Sequence, residues 1–323
     1  MKNTQQKKGF SLLELIFVIV ILGVVSSIGS SLIAQLYENY LVQRALHRVT
    51  LKTELAINQI ANRLTYRIEN SVISRRSNGS FTSLTDLIFD SSNQDRAVLE
   101  WIGYDNESFS AERVPGWSGY CDQTTTAAPN ISTPGSNLNF TNVVTTNLAG
   151  GTVPPLAVLF SLGGQPDGPA IPADARCYGY DGNTTCIHQV RIINNRTLNT
   201  NRLAGIANTT ISDHYKLAWS AYAIVATNRN ALYTDVRDGS ILADNQITPR
   251  SFDLELRYNY QPWAGTQFND PATSRVTLIR NVTSFKYSEL GGTLRIKLCA
   301  TERIGDANST TNISACKEKV VIR

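Results

Sequence analysis

A single apolar stretch near the N terminus constrains this chain more than any other feature. The run from Phe10 to Ile33 carries one charge, at Glu14, and is long enough to cross about 30 Å of hydrocarbon as a helix. Three lysines precede it, at positions 2, 7 and 8. This pattern predicts a helix that spans a membrane once.

The order of small and apolar residues distinguishes this segment from an ordinary secretory signal. A secretory signal places its small residues after the apolar stretch, so that cleavage removes the stretch. Here the small residue, Gly9, stands immediately before it. Cleavage between Gly9 and Phe10 would remove a short polar leader and leave the helix on the mature protein.

Glu14 is the one charged residue within the apolar stretch. A charge near the middle of a membrane span costs about 2.5–3.5 kcal/mol on insertion scales, so it needs a partner or a shallow position. Cleavage after Gly9 would create an α-amine at Phe10, and the same amine of a neighbouring subunit could pair with Glu14. The alternative is a glutamate near the lipid headgroups without a pairing role. The spacing from the cleavage point favours the pairing.

The residues around this cleavage point form a recognisable signature. The string Lys-Gly-Phe-Ser-Leu-Leu-Glu at 8–14, followed by an apolar run from Leu15 to Ile28, resembles the cleavage and methylation signature of type IV prepilins. The resemblance implies that a prepilin peptidase cuts after Gly9 and N-methylates Phe10. It also implies that Glu14 is the glutamate used in filament assembly.

The same resemblance implies the topology of the chain. Prepilin peptidases cut on the cytoplasmic side of the inner membrane, so residues after about 37 would face the periplasm. Charge alone decides less, because Arg44, Arg48 and Lys52 beyond the span offset the N-terminal lysines. We expect a single-pass inner-membrane protein, with its N terminus cytoplasmic, that joins a periplasmic filament. Its predicted parts are a leader at 1–9, a transmembrane and assembly helix at 10–36, a periplasmic half of that helix at 37–75, and a β-rich globular head at 76–323.

The pattern stays helical beyond the predicted membrane segment. From Tyr37 to about Ile73 the chain contains neither proline nor glycine, and its apolar residues recur at three-, four- or eight-residue spacings. This apolar stripe predicts a helix that packs on a sheet. A coiled-coil partner is the alternative, although the stripe does not keep a strict heptad. The stripe consists of Leu46, Val49, Ile57, Ile60, Leu64 and Ile68.

After Gly79 the pattern changes to short strands and loops. Residues 289–293 predict a hairpin turn, and residues 110–176, rich in Pro, Gly, Thr and Asn, predict long loops inserted between strands. The prepilin resemblance implies the matching architecture, an α+β pilin-like fold with the long helix packed on an antiparallel β-sheet. The predicted strands are 98–104, 156–160, 188–193, 217–226, 252–260, 276–279, 282–287, 294–298 and 319–323.

The five cysteines predict disulfides rather than a redox or metal motif. Cysteine pairs form disulfides in an oxidising compartment such as the periplasm. Cys177 and Cys186 bracket a turn-rich stretch, and Cys299 and Cys316 flank the loop between the last two predicted strands. We favour these two pairs, which leaves Cys121 single. A pairing of Cys121 with Cys177 or Cys186 stays open.

Composition and motifs exclude several classes of function. A net charge of +4 over 323 residues is too dilute to indicate a nucleic-acid partner. The sequence lacks a G-x-S-x-G elbow, an H-E-x-x-H motif, a phosphate-binding loop and a dinucleotide fingerprint. Its three histidines stand apart, and Asp181-Gly-Asn183 is typical of a plain turn more than of a calcium loop. We expect no catalytic residue, no metal and no cofactor.

The size of the head distinguishes between major and minor pilin-like subunits. Major pilins and pseudopilins are typically about half this length, so the chain resembles a minor pilin or minor pseudopilin. Residues 278–298 loosely resemble the C-terminal region of J-type minor pseudopilins of type II secretion. A minor pseudopilin would have prepilin peptidase, other pilin-like subunits, the inner-membrane secretion platform and membrane lipid as partners. The alternatives are a minor pilin of a type IV pilus, a competence pseudopilus subunit for DNA uptake, and a membrane-anchored periplasmic binding module.

Overall fold

One long helix, two antiparallel sheets and two shorter helices make up most of the described part of the chain. The computed structural model describes residues 11–76, 79–84, 96–110, 113–126, 129–160, 175–200, 213–228, 251–290, 292–304 and 311–322. The helix, α1, spans Leu12–Thr65. At a rise of 1.5 Å per residue it is about 80 Å long. This arrangement confirms the predicted α+β pilin-like architecture.

The larger sheet has eight strands. Its strand order is β13-β12-β11-β10-β9-β3-β1-β2, and every neighbouring pair is antiparallel. The strands are β1 Ile73–Arg76, β2 Phe81–Ser83, β3 Arg96–Gly103, β9 Ser220–Thr227, β10 Phe252–Tyr260, β11 Ser274–Leu290, β12 Thr293–Ile304 and β13 Thr311–Val321.

A second sheet of five strands has the order β4-β7-β6-β5-β8. Two shorter helices accompany it, α2 at Asn106–Phe109 and α3 at Leu138–Leu148. Residues 110–176, predicted as long loops apart from the strand at 156–160, also contain β4 and α3, and the loop prediction was wrong for those two elements. The strands are β4 Asn130–Ser132, β5 Leu156–Phe160, β6 His188–Asn194, β7 Thr197–Asn199 and β8 Tyr215–Ala218.

The helix ends earlier than the sequence predicts. The predicted helical segment 37–75 stops at Thr65 because the next residues join the sheet. Ile68 donates its N–H to the carbonyl of Ile102, and Tyr104 donates to the carbonyl of Tyr66. These bonds continue the ladder of β3, so the backbone of residues 66–68 is committed to the sheet. Residues 73–75, placed in the helical segment by the sequence, belong to β1 instead.

In two places the structure divides the predicted strands differently. Residues 217–226, predicted as one strand, are split at Trp219, whose carbonyl accepts a bond from the side chain of Gln261 instead of continuing a ladder. The predicted strands at 276–279 and 282–287 form one strand, β11. Asn281 lies between them in the left-handed region, at a φ of 57°, where β11 shifts register against β10.

The core consists of three apolar clusters between layers. The first lies between α1 and the larger sheet, the second between the larger sheet and β5, and the third on the other face of β5. Alternation along β5 explains the division, because Ala157 and Leu159 join the second cluster while Leu156 and Val158 join the third. The chain therefore forms α1, the larger sheet, the second sheet and α3 as successive layers.

Candidate assembly helix and its docking on the head

The first half of α1 presents an apolar surface that no other described part of the chain covers. Its most apolar 18-residue window has a mean hydropathy of 2.6 and no buried residue. Leu12 is 79% exposed and Leu36 is 68% exposed, and the apolar residues between them are similarly uncovered. Among the described residues, α1 is the one helix long and apolar enough to cross a membrane. This segment fits a single-pass anchor for a domain that follows it.

The helix begins with a side-chain cap. Ser11 has an extended backbone, and its hydroxyl accepts the backbone N–H of Glu14 at 3.2 Å. The bond satisfies one of the amide groups that a helix N terminus leaves without a partner. Glu14 lies in the first turn, where a negative charge interacts favourably with the helix dipole. Gly9 and Phe10 lie outside the described residues, and the roles of these three residues stay predictions.

The second half of α1 is docked on the larger sheet. Small side chains at Ala45, Ala56 and Ala61 let the helix approach the sheet closely, and the larger Leu64 is fully buried. The predicted apolar stripe is buried as expected, except Leu46, which is 47% exposed. The buried residues of α1 are Ala45, Val49, Thr53, Ala56, Ile57, Ile60, Ala61 and Leu64.

A buried carboxylate holds the middle of the docked half. Glu302, on β12, has a side chain only 6% exposed. Its Oε1 lies 3.1 Å from Nη1 of Arg48, and its Oε2 lies 3.9 Å from Nζ of Lys52. The two cations stand one turn apart on α1, so both lie within ion-pair distance of one acid on the sheet. On the other side of the helix, Lys317 of β13 pairs with Glu54 at 3.4 Å.

A buried arginine fixes the far end of the docked half. Arg67 is 3% exposed. Its Nη1 donates to the carbonyl of Leu64 at 2.9 Å, and its Nη2 donates to the carbonyl of Gly292 at 3.0 Å. Gly292 belongs to the turn between β11 and β12, where it has a φ of 76°. Arg67 therefore joins the end of the helix to the β11–β12 hairpin, which contains the predicted turn at 289–293.

Both favoured disulfides are present in the structure. Cys299 and Cys316 face each other across β12 and β13, the two strands with the most extensive contact with α1, and their Cα atoms are 4.0 Å apart. Cys177 and Cys186 close a short loop whose Tyr180 lies in the second apolar cluster. Cys121 is buried and unpaired with any other cysteine.

A charged pair is buried on the face of the larger sheet opposite α1. Nε and Nη2 of Arg75 lie 3.0 and 2.9 Å from Oε2 of Glu100, and the hydroxyl of Tyr260 donates to Oε1. Burial raises the pKa of Glu100, while Arg75 and Tyr260 oppose the rise. The side chain of Arg75 is only 11% exposed. Sequence reasoning missed this pair because its members are far apart in the chain.

A further buried carboxylate, Asp105, lies where the two sheets meet. Asp105 caps α2 and accepts bonds from the backbone N–H and the hydroxyl of Ser108. Its own N–H donates to the carbonyl of Leu217 in β8, and its carbonyl accepts the indole N–H of Trp117. Burial raises the pKa of Asp105 to about 6, against the opposing hydrogen bonds from Ser108. The joint between the sheets therefore contains a group that titrates near neutral pH.

The turn considered for calcium has no free set of oxygen ligands. Oδ1 of Asp181 accepts the N–H of Asn183, and Oδ1 of Asn183 accepts the N–H of Thr185. Across the described ranges, no group of three or more His, Cys, Asp or Glu side chains is arranged to hold a metal ion.

Comparison with known proteins identifies the class of the N-terminal segment. Residues 4–30 match the family model described as the prokaryotic N-terminal methylation motif. The motif includes the predicted cleavage point and the beginning of α1, and it supports a type IV prepilin-like protein. The match covers a small part of the chain. No curated protein and no solved structure matches the sequence.

Proposed function

We propose that this chain is a structural, non-enzymatic subunit of a pilin-like filament, namely a minor pseudopilin of a type II secretion system. One observation carries the proposal most strongly. The methylation motif continues directly into a helix whose first half is uncovered while its second half is fixed to a folded head. An apolar helix surface of this size needs a bilayer or the helices of other subunits to cover it.

Under this proposal the N-terminal segment directs processing and assembly. Prepilin peptidase cuts between Gly9 and Phe10 and N-methylates Phe10, while the apolar half of α1 stays in the inner membrane with its N terminus cytoplasmic. The new amine lies at the positive end of the helix dipole, an unfavourable place for a cation. Glu14 of a neighbouring subunit offsets that cost by pairing with the amine inside the filament.

The head supports a minor rather than a major subunit. A major subunit must pack repeatedly along the filament, whereas this head carries a second sheet and two extra helices beside the helix-bearing sheet. The hairpin of β11 and β12 is the part that resembles J-type pseudopilins. Co-purification of the chain with the secretion platform would support this assignment. Recovery with a pilus or DNA-uptake apparatus instead would favour the alternative filaments.

The assembly role of Glu14 can be tested by substitution. We expect Glu14→Ala to be processed but not incorporated into filaments, measured by crosslinking to other pilin-like subunits. Glu38→Ala is the matched control, because Glu38 is an exposed glutamate of the same helix beyond the apolar run. Normal incorporation of Glu14→Ala would contradict the pairing role.

A further inference from the structure

A short string in the loop closed by Cys177 and Cys186 has the pattern of an N-glycosylation acceptor. It reads Asn183-Thr184-Thr185, and Asn-x-Ser/Thr, where x is not proline, is the string to which glycans are attached on exported proteins. Asp181 stands two residues before the asparagine, and an acid at that place extends the acceptor string that some bacterial transferases use. Such strings recur in a chain rich in asparagine and threonine, so exposure and local geometry decide which of them can act.

The base of this loop is fixed to the head. Tyr180 is buried in the second apolar cluster, and its hydroxyl donates to the carbonyl of Ser71 at 2.8 Å. The N–H of Cys186 donates to the carbonyl of Cys177 at 3.1 Å, beside the disulfide between the same two residues. These contacts hold the tip of the loop, residues 181–185, in one place on the folded protein.

The tip of the loop is open to solvent. Asp181, Gly182, Asn183 and Thr185 are all exposed. Gly182 has a φ of 92°, in the left-handed region that glycine adopts without strain, and this conformation turns the chain at the tip. A Cβ built on Gly182 would meet no atom within 4 Å, so the space beside the tip is free. A bulky glycan needs such free space outside the protein surface.

The side chain of Asn183 is held by one end only. Its Oδ1 accepts the N–H of Thr185 at 3.1 Å, and its backbone N–H donates to Oδ1 of Asp181 at 3.1 Å. This Asx turn brings the amide of the asparagine beside the threonine of the same string. The Nδ2 group, which a glycan would join, forms no hydrogen bond with any residue that the structure describes. The acceptor atom is therefore available.

The other described strings of this form are less available. Asn195 is exposed in the turn between β6 and β7, but its Oδ1 accepts the N–H of Asn139 in α3, and no acid stands two residues before it. The asparagines of three further strings, at positions 78, 208 and 308, lie outside the described residues, and the last of these also has an acid at that place. In the remaining strings the asparagine belongs to a helix or a strand, namely Asn106, Asn130, Asn139, Asn281 and Asn312.

We propose that Asn183 is an N-glycosylation site, which accepts a glycan from a polyprenyl diphosphate carrier on the periplasmic side of the membrane. The proposal rests on the periplasmic placement of the head given above. In the transfer, Nδ2 forms a bond to the anomeric carbon of the glycan, and the bond from that carbon to the diphosphate oxygen breaks. The diphosphate leaves with the electron pair, and one Nδ2 proton passes to a base of the transferase. Because the loop is anchored in the second cluster, on the face of the larger sheet opposite α1, the glycan leaves the docked helix uncovered.

The test is peptide mapping of the full-length chain, purified from the cells that make it. Cleavage after Arg176 and Arg191 releases residues 177–191, in which Asn183 is the one asparagine. We expect this peptide to carry the mass of at least one sugar, and fragmentation to place that mass on Asn183. A peptide without added mass would overturn the proposal, as would a sugar on either of its threonines.

Two substitutions of Thr185 separate recognition of the string from the local turn. Thr185→Val and Thr185→Ser both keep the backbone N–H that donates to Asn183, but only serine keeps the hydroxyl that the acceptor string requires. We expect Thr185→Val to lose the glycan and Thr185→Ser to retain it. The same result in both variants would overturn the proposal. Asn195→Gln is the matched control and should leave the peptide 177–191 modified, and loss of the glycan in that variant would count against Asn183 as the acceptor.

The N-terminal peptide of the same sample distinguishes this proposal from the proposed function. A chain that keeps Met1 and carries no glycan contradicts both the filament pathway and the modification. A processed Phe10 terminus together with an unmodified Asn183 contradicts the glycosylation site alone.

Discussion

The two halves of α1 share one uninterrupted backbone but meet opposite surroundings. Residues 12–36 are apolar around the whole helix and exposed, whereas eight residues between Ala45 and Leu64 are buried on one face. Both halves form the same backbone hydrogen bonds, so helix propensity does not distinguish them. The distribution of charge around the helix does. Charges at Arg48, Lys52 and Glu54 leave one apolar stripe for the sheet, while the first half has no polar face to give to water.

The largest expected effect comes from a cavity in the core beneath the docked half. Leu64→Ala should lower the free energy of unfolding of the head by about 2–5 kcal/mol, because Leu64 is fully buried between α1 and the larger sheet. Leu22→Ala, in the exposed half, should change it little. Denaturation followed by tryptophan fluorescence reports the head alone, since all four tryptophans follow residue 100. Equal effects of the two substitutions would break the distinction between the halves.

A smaller effect, of pH, should be confined to the head. The pKa of Asp105 rises from 3.8 to about 6 on folding. The folded state therefore binds this proton more tightly than the unfolded state does. The contribution of Asp105 to the free energy of unfolding is greatest below pH 4 and falls as the pH rises to about 6. The loss from this one group is about 3 kcal/mol. Asp105→Asn keeps a capping side chain and should remove that loss, so it is more stable than the natural chain above pH 6.

The control for this pH effect is Asp122→Asn. Asp122 is partly exposed, and hydrogen bonds from Thr125 and Thr124 lower its pKa, so its contribution is lost as the pH falls. Denaturation measured at pH 4, 6 and 8 distinguishes the two signs. If the stability of the natural chain and that of the Asp105→Asn variant changed equally with pH, the raised pKa of Asp105 would be contradicted.

The smallest effect concerns the polar contact of the docked half. Glu302→Gln leaves Arg48 and Lys52 without their shared acid and should destabilise the head by about 1 kcal/mol, discounted because both cations are partly exposed to water. Glu318→Gln removes an exposed acid 4.0 Å from Arg295 and should have almost no effect. The same denaturation measurement compares the two. An equal response would show that Glu302 does not hold the helix.

Local pattern was enough to predict the helix, the difference between its two halves and several strands. The strands 156–160 and 252–260 were predicted with the bounds that the structure shows. Their apolar runs decide their state without help from distant residues. The cysteine spacing likewise favoured the two disulfides that the structure contains.

The errors came from contacts between residues far apart in the chain. Helix α1 stops at Thr65 because the chain meets β3, about 35 residues later, and no local stop signal marks that point. Trp219 divides an apolar run because Gln261 binds its carbonyl. Arg75 is largely covered because Glu100 binds it and the ring of Phe81 lies beside it. Glu302 was missed for the same reason, because it lies on β12 and its cationic partners, Arg48 and Lys52, lie on α1.

If the exposed half of α1 belongs to a processed, filament-forming subunit, the mature chain begins at Phe10. Mass spectrometry of the N-terminal peptide, from cells with and without prepilin peptidase, measures this. We expect an N-methylated Phe10 terminus that is present only when the peptidase is present. An intact Met1 terminus in both samples would contradict it and leave a membrane-anchored domain.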